Sequence, residues 1–369
     1  MLLVSEPRLG EEDKFALGRV IDSRWITMGD QVRAFERTFA DHHGVNDAVA
    51  VSSCTAGLHL TMCALGIGPG DEVLVPALTF VATVNSVLYV GATPVFVDID
   101  SMQVPHMSLA DAASKITERT KAVIIMHYGG YCMDPVSWRA FAESRNLLLI
   151  EDAAHVVGVN GVGVDTDAAV FSFYGNKNMT TAEGGMILSR DPAIIDALRR
   201  LRSHGMTSTS WDRVDGQTLG YDVTNLGYNY RMDELRAALG QAQLKRLASW
   251  NDKRRQLSNT YRDLFALHCP EIQLPFSKDH LSAYHILPAI LPVTYNRQAI
   301  MKAMHEAGIQ TTVHYPPVHL FSYYTNKFPR THLPTTEEFC KRELTLPLHP
   351  GLAFGHVETI VRVLTGLTQ

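Results

Sequence analysis

The feature that most constrains the fold is an alternation of short apolar runs with helix-length segments between residues 48 and 187. Such an alternation is typical of a mostly parallel sheet that is covered by helices on both faces. We therefore predict an α/β fold in which ligands bind beyond the carboxyl ends of the strands. The predicted strands are Ala48 to Val51, Glu72 to Val75, Pro94 to Val97, Ala122 to Met126, Leu147 to Ile150 and Ala168 to Ser172.

Charge, hydropathy and cysteine usage exclude several classes of protein. The 33 Lys and Arg residues against 38 Asp and Glu give a formal net charge of −5, and no basic run favours nucleic-acid binding. Neither a signal-type N-terminus nor a span of about 18 apolar residues is present, so we expect no export and no membrane insertion. The five cysteines are scattered without C-x-x-C spacing, which predicts no metal site or disulfide framework and indicates a reducing cytoplasm.

The length of the chain and a change of pattern in its second half indicate two domains. Residues 231–267 carry an apolar stripe at helical spacing, and shorter mixed segments follow after Pro275. These include apolar runs at His285 to Pro292, Ile309 to Val313 and Leu344 to Leu348. We predict a large cofactor-binding domain with an N-terminal helical segment over 1–245. Residues 246–369 are predicted to form a connecting helix and a small C-terminal α+β domain.

A carboxylate and a lysine follow two of the predicted strands. Asp152 ends the strand in Leu149-Ile150-Glu151-Asp152-Ala153-Ala154-His155, and Lys177 follows Phe171-Ser172-Phe173. If both strands belong to one sheet, the two side chains open onto one crevice. This pair suits pyridoxal phosphate, because the amine forms a Schiff base with the aldehyde and the carboxylate keeps the ring nitrogen protonated. The alternative is a surface lysine and a strand-end aspartate that never meet.

A candidate phosphate site lies between the first strand and the next helix. The segment Ser52-Ser53-Cys54-Thr55-Ala56-Gly57 offers hydroxyls and backbone N–H groups at the positive end of a helix dipole. The alternative interpretation is a simple Ser/Thr cap of that helix. No G-x-G-x-x-G motif follows the first strand, which argues against a nicotinamide dehydrogenase.

The order of several motifs resembles the DegT/DnrJ/EryC1/StrS family of pyridoxal-phosphate-dependent sugar aminotransferases. The resemblance extends from Arg24 to Gly351 and implies a fold type I aminotransferase, with a mostly parallel central sheet flanked by helices. It rests on Gly66-Ile67-Gly68-Pro69-Gly70-Asp71-Glu72-Val73, Thr79-Phe80, Gly91-Ala92-Thr93-Pro94-Val95-Phe96-Val97-Asp98, Glu151-Asp152-Ala153-Ala154-His155, Phe171-Ser172-Phe173, Lys177-Asn178, Glu183-Gly184-Gly185 and Gly227-Tyr228-Asn229-Tyr230-Arg231-Met232.

The resemblance also implies roles for individual residues. Lys177 would carry the cofactor and shuttle the proton of the substrate, while Asp152 would pair with the ring nitrogen and His155 would lie against the ring or its 3-hydroxyl. Phe80 would stack on the ring face, for which a buried core position is the alternative. The residues implied to hold the phosphate are Thr55, Ala56 and Ser172, together with Asn229 from a neighbouring subunit, so a homodimer with shared active sites is expected.

Candidate substrate residues lie in three loop segments: His127 and Tyr128, Arg231, and His314 and Tyr315. The first and last segments resemble family segments that line the sugar pocket. For His314 and Tyr315, packing beneath two prolines is an equally good account. Arg231 is either an anion clamp or a residue at a helix start that pairs with a nearby carboxylate.

The resulting functional hypothesis is a ping-pong aminotransferase. An amino acid, L-glutamate by resemblance, donates the amino group, and a nucleotide-activated keto-deoxysugar accepts it. A cyclitol aminotransferase, a family dehydratase and a non-catalytic regulatory homologue are the alternatives. Lys177 argues against the dehydratase, in which the resemblance implies a histidine at that position. The intact set of Lys177, Asp152 and Ser172 argues against a protein without turnover.

Overall fold

The computed structural model describes residues 1–208 and 220–367 and shows the predicted α/β architecture. The strands are β1 Ala48–Val51, β2 Glu72–Pro76, β3 Thr93–Val97, β4 Thr120–Met126, β5 Leu148–Asp152, β6 Ala168–Ser172, β7 Gly185–Leu188, β8 Leu287–Ile290 and β9 Glu343–Leu346. The helices are α1 Glu11–Ser23, α2 Asp30–His43, α3 Cys54–Ala64, α4 Val81–Tyr89, α5 Leu109–Ser114, α6 Pro135–Glu143, α7 Pro192–Leu201, α8 Glu234–His268, α9 Arg297–Glu306, α10 Ser322–Lys327, α11 Pro334–Arg342 and α12 Phe354–Gly366.

The central sheet has the strand order β1-β7-β6-β5-β4-β2-β3. Every neighbouring pair from β6 to β3 is parallel, whereas β7 runs antiparallel to both β1 and β6. The strands are buried along most of their length, as expected for a sheet covered on both faces. The prediction of a mostly parallel sheet is confirmed, but β7 was not among the predicted strands.

The topology brings several chain segments to one edge of the sheet. Strands β4, β5 and β6 are parallel neighbours, with Met126 opposite Asp152 and Asp152 opposite Val170. Their carboxyl ends therefore lie side by side. Helices α3 and α4 begin shortly after β1 and β2 end, so their N-termini also approach this region. The fold thus places polar strand ends and helix N-termini around one crevice.

The C-terminal part is organised around the long helix α8 and a two-stranded antiparallel sheet of β8 and β9. Apolar residues of α8, β8, β9 and α12 share one buried cluster that includes Leu257, Tyr261, Leu287, Leu346 and Ile360. The apolar run Ile309 to Val313 forms isolated bridges instead of a strand. The predicted domain boundary at 245/246 falls inside α8 and stays a prediction. No helix among the described residues is long and apolar enough to cross a membrane.

Gly185, the first residue of β7, is required by a close backbone approach. A Cβ atom there would lie 2.7 Å from the carbonyl carbon of Ser53 and 2.8 Å from the nitrogen of Cys54. These are backbone atoms of the turn that leads into α3, so they cannot move aside as a flexible side chain would. The missing side chain therefore lets β7 pack directly beneath the candidate phosphate site.

We predict that Gly185→Ala lowers the free energy of unfolding by about 1–3 kcal/mol, the usual cost of overpacking. Gly18→Ala is the matched control, because a Cβ on Gly18 in α1 would meet no atom within 4 Å and should stabilise the helix by up to about 1 kcal/mol. Denaturant unfolding of both variants measures the difference. Equal unfolding free energies would contradict the close approach.

Candidate active site

A cavity of about 480 Å³ opens at the carboxyl edge of the sheet. Its walls include Asp152, Ser172 and Lys177 from the ends of β5 and β6 and the turn that follows, and Thr55 and Phe80 from the starts of α3 and α4. A larger cavity of about 700 Å³ lies beside α2 and α7, and its walls include arginines and carboxylates. That cavity contains neither Lys177 nor Asp152, so the chemistry of the smaller cavity identifies it as the candidate active site.

Asp152 is buried and held by a chain of hydroxyl groups. Its Oδ2 accepts a hydrogen bond from Thr83 Oγ1 at 2.6 Å, and Thr83 Oγ1 lies 2.7 Å from Thr79 Oγ1. The backbone N–H of Ala154 donates to Oδ1 at 3.1 Å. Burial raises the pKa of Asp152, while these hydrogen bonds and the charge of Lys177 oppose that shift. The hydrogen bonds thus fix the direction of the carboxylate. They offset only part of the cost of burying its negative charge.

Lys177 is placed by the turn that follows β6, where its backbone N–H donates to the carbonyl of Tyr174 at 2.9 Å. Its Nζ lies 3.4 Å from Nε2 of His285, a residue just before β8. Burial lowers the pKa of Lys177 to about 8, although Cys54 and Asp152 act in the opposite direction. The amine is therefore partly unprotonated near neutral pH, as a base in proton transfer requires.

Aromatic and imidazole rings surround the mouth of the cavity. Nε2 of His155 lies 3.1 Å from the hydroxyl of Tyr315, and Nδ1 of this buried histidine has no partner within the described chain. Burial keeps the pKa of His155 well below its usual value, so the ring is neutral. The ring of Phe80 is 53% exposed and its centroid lies 5.8 Å from that of Tyr315. An exposed Phe80 at the cavity rim excludes the buried core position.

His314 lines the cavity, whereas His127 and Tyr128 lie behind it. Nδ1 of His314 pairs with Thr345 Oγ1 at 2.9 Å, and burial lowers the pKa of His314 to about 4. Tyr128 donates its hydroxyl proton to the carbonyl of His314. His127 is 1% exposed, and its two ring nitrogens contact Glu151 and the N–H of Met133. In this chain, Tyr128 and His127 are thus positioned to support the cavity wall.

The residues assigned to the phosphate are only partly assembled within one chain. Thr55 and Ser172 line the cavity, but the N–H of Ala56 already donates to the capping hydroxyl of Ser53 at 3.1 Å. Asn229 is exposed and, within the described residues, lies outside the cavity wall. Arg231 is also outside it and forms a bridge with Val51 instead of starting a helix.

Two residues that contact Asp152 and Lys177 were not singled out in the sequence: Thr83 and His285. Thr83 lies in the first turn of α4, just after the Thr79-Phe80 motif, and this closeness to the motif was the available signal. His285 lies far from Lys177 along the chain, at the start of a segment that was noted only as an apolar run. No local pattern could have connected it with the lysine.

Comparison with known proteins agrees with this geometry. Residues 7–365 match the sequence profile of the DegT/DnrJ/EryC1/StrS aminotransferase family. The spore coat polysaccharide biosynthesis protein SpsC of Bacillus subtilis (strain 168) is 36% identical over 99% of this chain and 96% of its own length. The aminotransferase TlmJ from Streptoalloteichus hindustanus has a TM-score of 0.92 and 34% identity, covering 100% of this chain and 99% of its own.

Two further solved structures bear on the ligands of such proteins. The sugar aminotransferase Spr1654 from Streptococcus pneumoniae, described as putative, was solved in a pyridoxal-phosphate form; it has a TM-score of 0.90 and 29% identity over 99% of this chain and 98% of its own. DesI was solved in the presence of its TDP-sugar product, with a TM-score of 0.88 and 29% identity over 99% of this chain and 92% of its own. The chain described here belongs to the DegT/DnrJ/EryC1/StrS aminotransferase family and is a pyridoxal-phosphate-dependent enzyme.

Proposed function

We propose that this protein transfers an amino group from L-glutamate to a nucleotide-linked keto-deoxysugar. The observation that carries the proposal is the presence of Lys177 and Asp152 on the wall of one cavity that is large enough for a small cofactor and its substrate. The polysaccharide context of SpsC and the TDP-sugar product of DesI support a sugar as the acceptor. The retained lysine at position 177 favours amino transfer over dehydration.

The residues present fit pyridoxal phosphate. The buried Asp152 offers a carboxylate with a fixed direction, and the buried Nδ1 of His155 has no partner within the described chain. The first-turn N–H groups of a helix have no acceptor within the helix, so the start of α3 favours an anion. Thr55 and Ser172 add hydroxyls on the same wall. When bound, the cofactor supplies a ring that accepts electrons from the carbon bearing the amino group.

Lys177 acts as the acid and base of the reaction. Its lowered pKa, about 8, lets Nζ take a proton from the donor carbon and return it to another atom within the same cavity. Asp152 stabilises positive charge on the ring nitrogen because both are removed from water. Phe80 limits the motion of a planar group by stacking at the cavity mouth.

The sugar is recognised by neutral polar groups of His314 and Tyr315, which line the cavity. Burial holds His314 neutral by lowering its pKa to about 4, and the Tyr315 hydroxyl lies 3.1 Å from Nε2 of His155. Neutral rings and a phenol exchange hydrogen bonds with hydroxyl groups without the cost of desolvating a charge. Tyr128 supports this wall from behind by donating to the carbonyl of His314. His127 holds the neighbouring backbone by accepting a hydrogen bond from the N–H of Met133.

A homodimer completes the site in this proposal. Phe80 and Tyr174 are 53% and 51% exposed at the cavity rim, and large exposed aromatic residues are enriched at protein interfaces. Asn229 is exposed, which supports its proposed role at the phosphate of a neighbouring subunit. Cofactor affinity measured at low and high protein concentration tests the shared site. If the dilute, monomeric protein binds the cofactor as tightly as the concentrated protein does, the site is not shared between subunits.

The first prediction of this proposal concerns the visible spectrum of the protein loaded with pyridoxal phosphate. We expect an absorption band that L-glutamate bleaches, because the amino group moves onto the cofactor. Lys177→Ala should not form this band, because it lacks the amine. A band that persists with L-glutamate would contradict the donor, and an alanine variant as active as the parent would contradict the role of Lys177.

The second prediction concerns Thr83→Val, which removes the hydroxyl that donates to Asp152. The loss raises the pKa of Asp152, so its carboxylate becomes protonated at a higher pH than in the parent. On acidification, the variant therefore loses cofactor binding at a higher pH than the parent does. We expect binding to weaken by about tenfold to a hundredfold, since a hydrogen bond to a charged group contributes about 1.5–3 kcal/mol.

Absorbance titrations of cofactor binding across pH measure this effect. Thr61→Val is the control, because Thr61 is equally buried but its hydroxyl donates to the backbone of Gly57 within α3. An unchanged acid limb in Thr83→Val, or an equal shift in the control, would contradict the role of Asp152 and Thr83.

A further inference from the structure

We infer that His285 is a positioning residue for Lys177: its bare Nε2 accepts a hydrogen bond from the free amine, and a chain of buried amides holds the ring in the required tautomer. The inference rests on the proposed role of Lys177 as the base of the reaction. It assigns a role to a histidine that belongs to the C-terminal part of the chain and faces the lysine from behind the cavity wall.

The direction of the amide chain is fixed at its far end. Nδ2 of Asn251 donates to the carbonyl of Val157 at 3.0 Å, which leaves Oδ1 of Asn251 as an acceptor. Nδ2 of Asn178 donates to that Oδ1 at 2.7 Å and to the carbonyl of Ala283 at 2.7 Å. A backbone carbonyl can only accept, so neither amide can be reversed without losing hydrogen bonds.

The amide chain determines which nitrogen of His285 carries the proton. Both donors of Asn178 are in use, so its Oδ1 is the atom that faces Nδ1 of His285 at 2.9 Å. An oxygen acceptor requires a proton on Nδ1. In a neutral ring, Nε2 is then an acceptor, and it lies 3.4 Å from Nζ of Lys177. The network therefore runs in one direction, from the lysine to buried backbone carbonyls.

The surroundings of His285 keep its ring neutral. His285 is 4% exposed, and its ring centroid lies 4.3 Å from that of His155. Burial, with His155, Lys177, Arg254 and His314 as the facing groups, holds the pKa of His285 well below its usual value. A second proton on Nε2 would also place two cations side by side. Nε2 therefore stays available as an acceptor at neutral pH.

This contact has two consequences for Lys177. One N–H of the amine is directed toward His285, so the lone pair is confined to the directions that remain, including the cavity. The contact also favours the ammonium form, because the charged amine is the stronger donor. Removal of the acceptor should therefore lower the pKa of Lys177, which also faces Cys54 and Asp152, beyond the effect of burial alone.

The first test is made on the parent protein and uses a variant only to assign one signal. Nitrogen-15 NMR of the histidine rings, with the signal of His285 assigned by its absence in His285→Gln, distinguishes the two neutral tautomers from the charged ring. We expect a neutral ring with the proton on Nδ1 at pH 7. A proton on Nε2, or a charged ring, would overturn the inference.

The second test measures the pKa of Lys177 in the apoprotein from the pH dependence of its reaction with an amine-modifying reagent, followed by peptide mass spectrometry. We expect His285→Phe to lower this pKa by about one unit, the scale of one hydrogen bond to a charged group. His285→Gln, whose amide oxygen can still accept, should keep a pKa near that of the parent.

The control is His106→Phe, because His106 is also buried and its Nε2 pairs with the carbonyl of Tyr131 rather than with a lysine. It should lose stability without moving the pKa of Lys177. An unchanged pKa in His285→Phe, or the same change in the control, would show a purely structural role and overturn the inference. Neither test depends on turnover, so failure of the proposed function would appear separately, as a protein with this lysine pKa and tautomer but no amino transfer.

Discussion

The structure depends on the burial of an amine and a carboxylate at one edge of a parallel sheet. Lys177 and Asp152 line one cavity. Burial raises the pKa of Asp152 and lowers the pKa of Lys177, and so favours the neutral form of each. Removing charges from water costs several kcal/mol for each ion unless partners compensate. Strand order supplies the arrangement, because β5 and β6 are parallel neighbours that end at the same edge of the sheet. Asp152 comes from the end of β5 and Lys177 from the turn that follows β6.

Polar groups with fixed directions support each half of this pair. On one side, the hydroxyls of Thr79 and Thr83 and the N–H of Ala154 direct the Asp152 carboxylate. On the other side, the amide chain through Asn178 directs His285 toward the lysine. These networks orient the carboxylate and the amine without pairing either one with an oppositely charged side chain in direct contact. Groups oriented in advance in this way can stabilise charge that develops during a reaction.

The sequence was sufficient to predict six of the seven strands of the sheet and the placing of Asp152 and Lys177 in one crevice. Apolar runs at short spacing predicted β1 through β6, because parallel strands buried on both faces carry a continuous signal. Asp152 and Lys177 could be paired because each follows such a run within five residues. Strand β7 was missed because it is short and begins with Gly185, whose role is a close contact with the backbone of Ser53.

The remaining site residues depend on tertiary contacts that no local pattern records. His127 follows β4 as predicted, yet its ring contacts Glu151 and Met133 instead of the cavity. His285 approaches Lys177 only because the C-terminal part packs against the sheet. Side-chain direction at these positions is set by packing of distant segments, so sequence spacing alone could not determine it.

The central claim is that Lys177 is the residue that carries pyridoxal phosphate in the cavity beside Asp152. The most direct measurement is reduction of the loaded protein with borohydride, which makes the link between amine and cofactor permanent, followed by peptide mass spectrometry. The account predicts a single modified peptide with the cofactor on Lys177. Modification of a different lysine, or no modification in a protein that holds the cofactor, would contradict it.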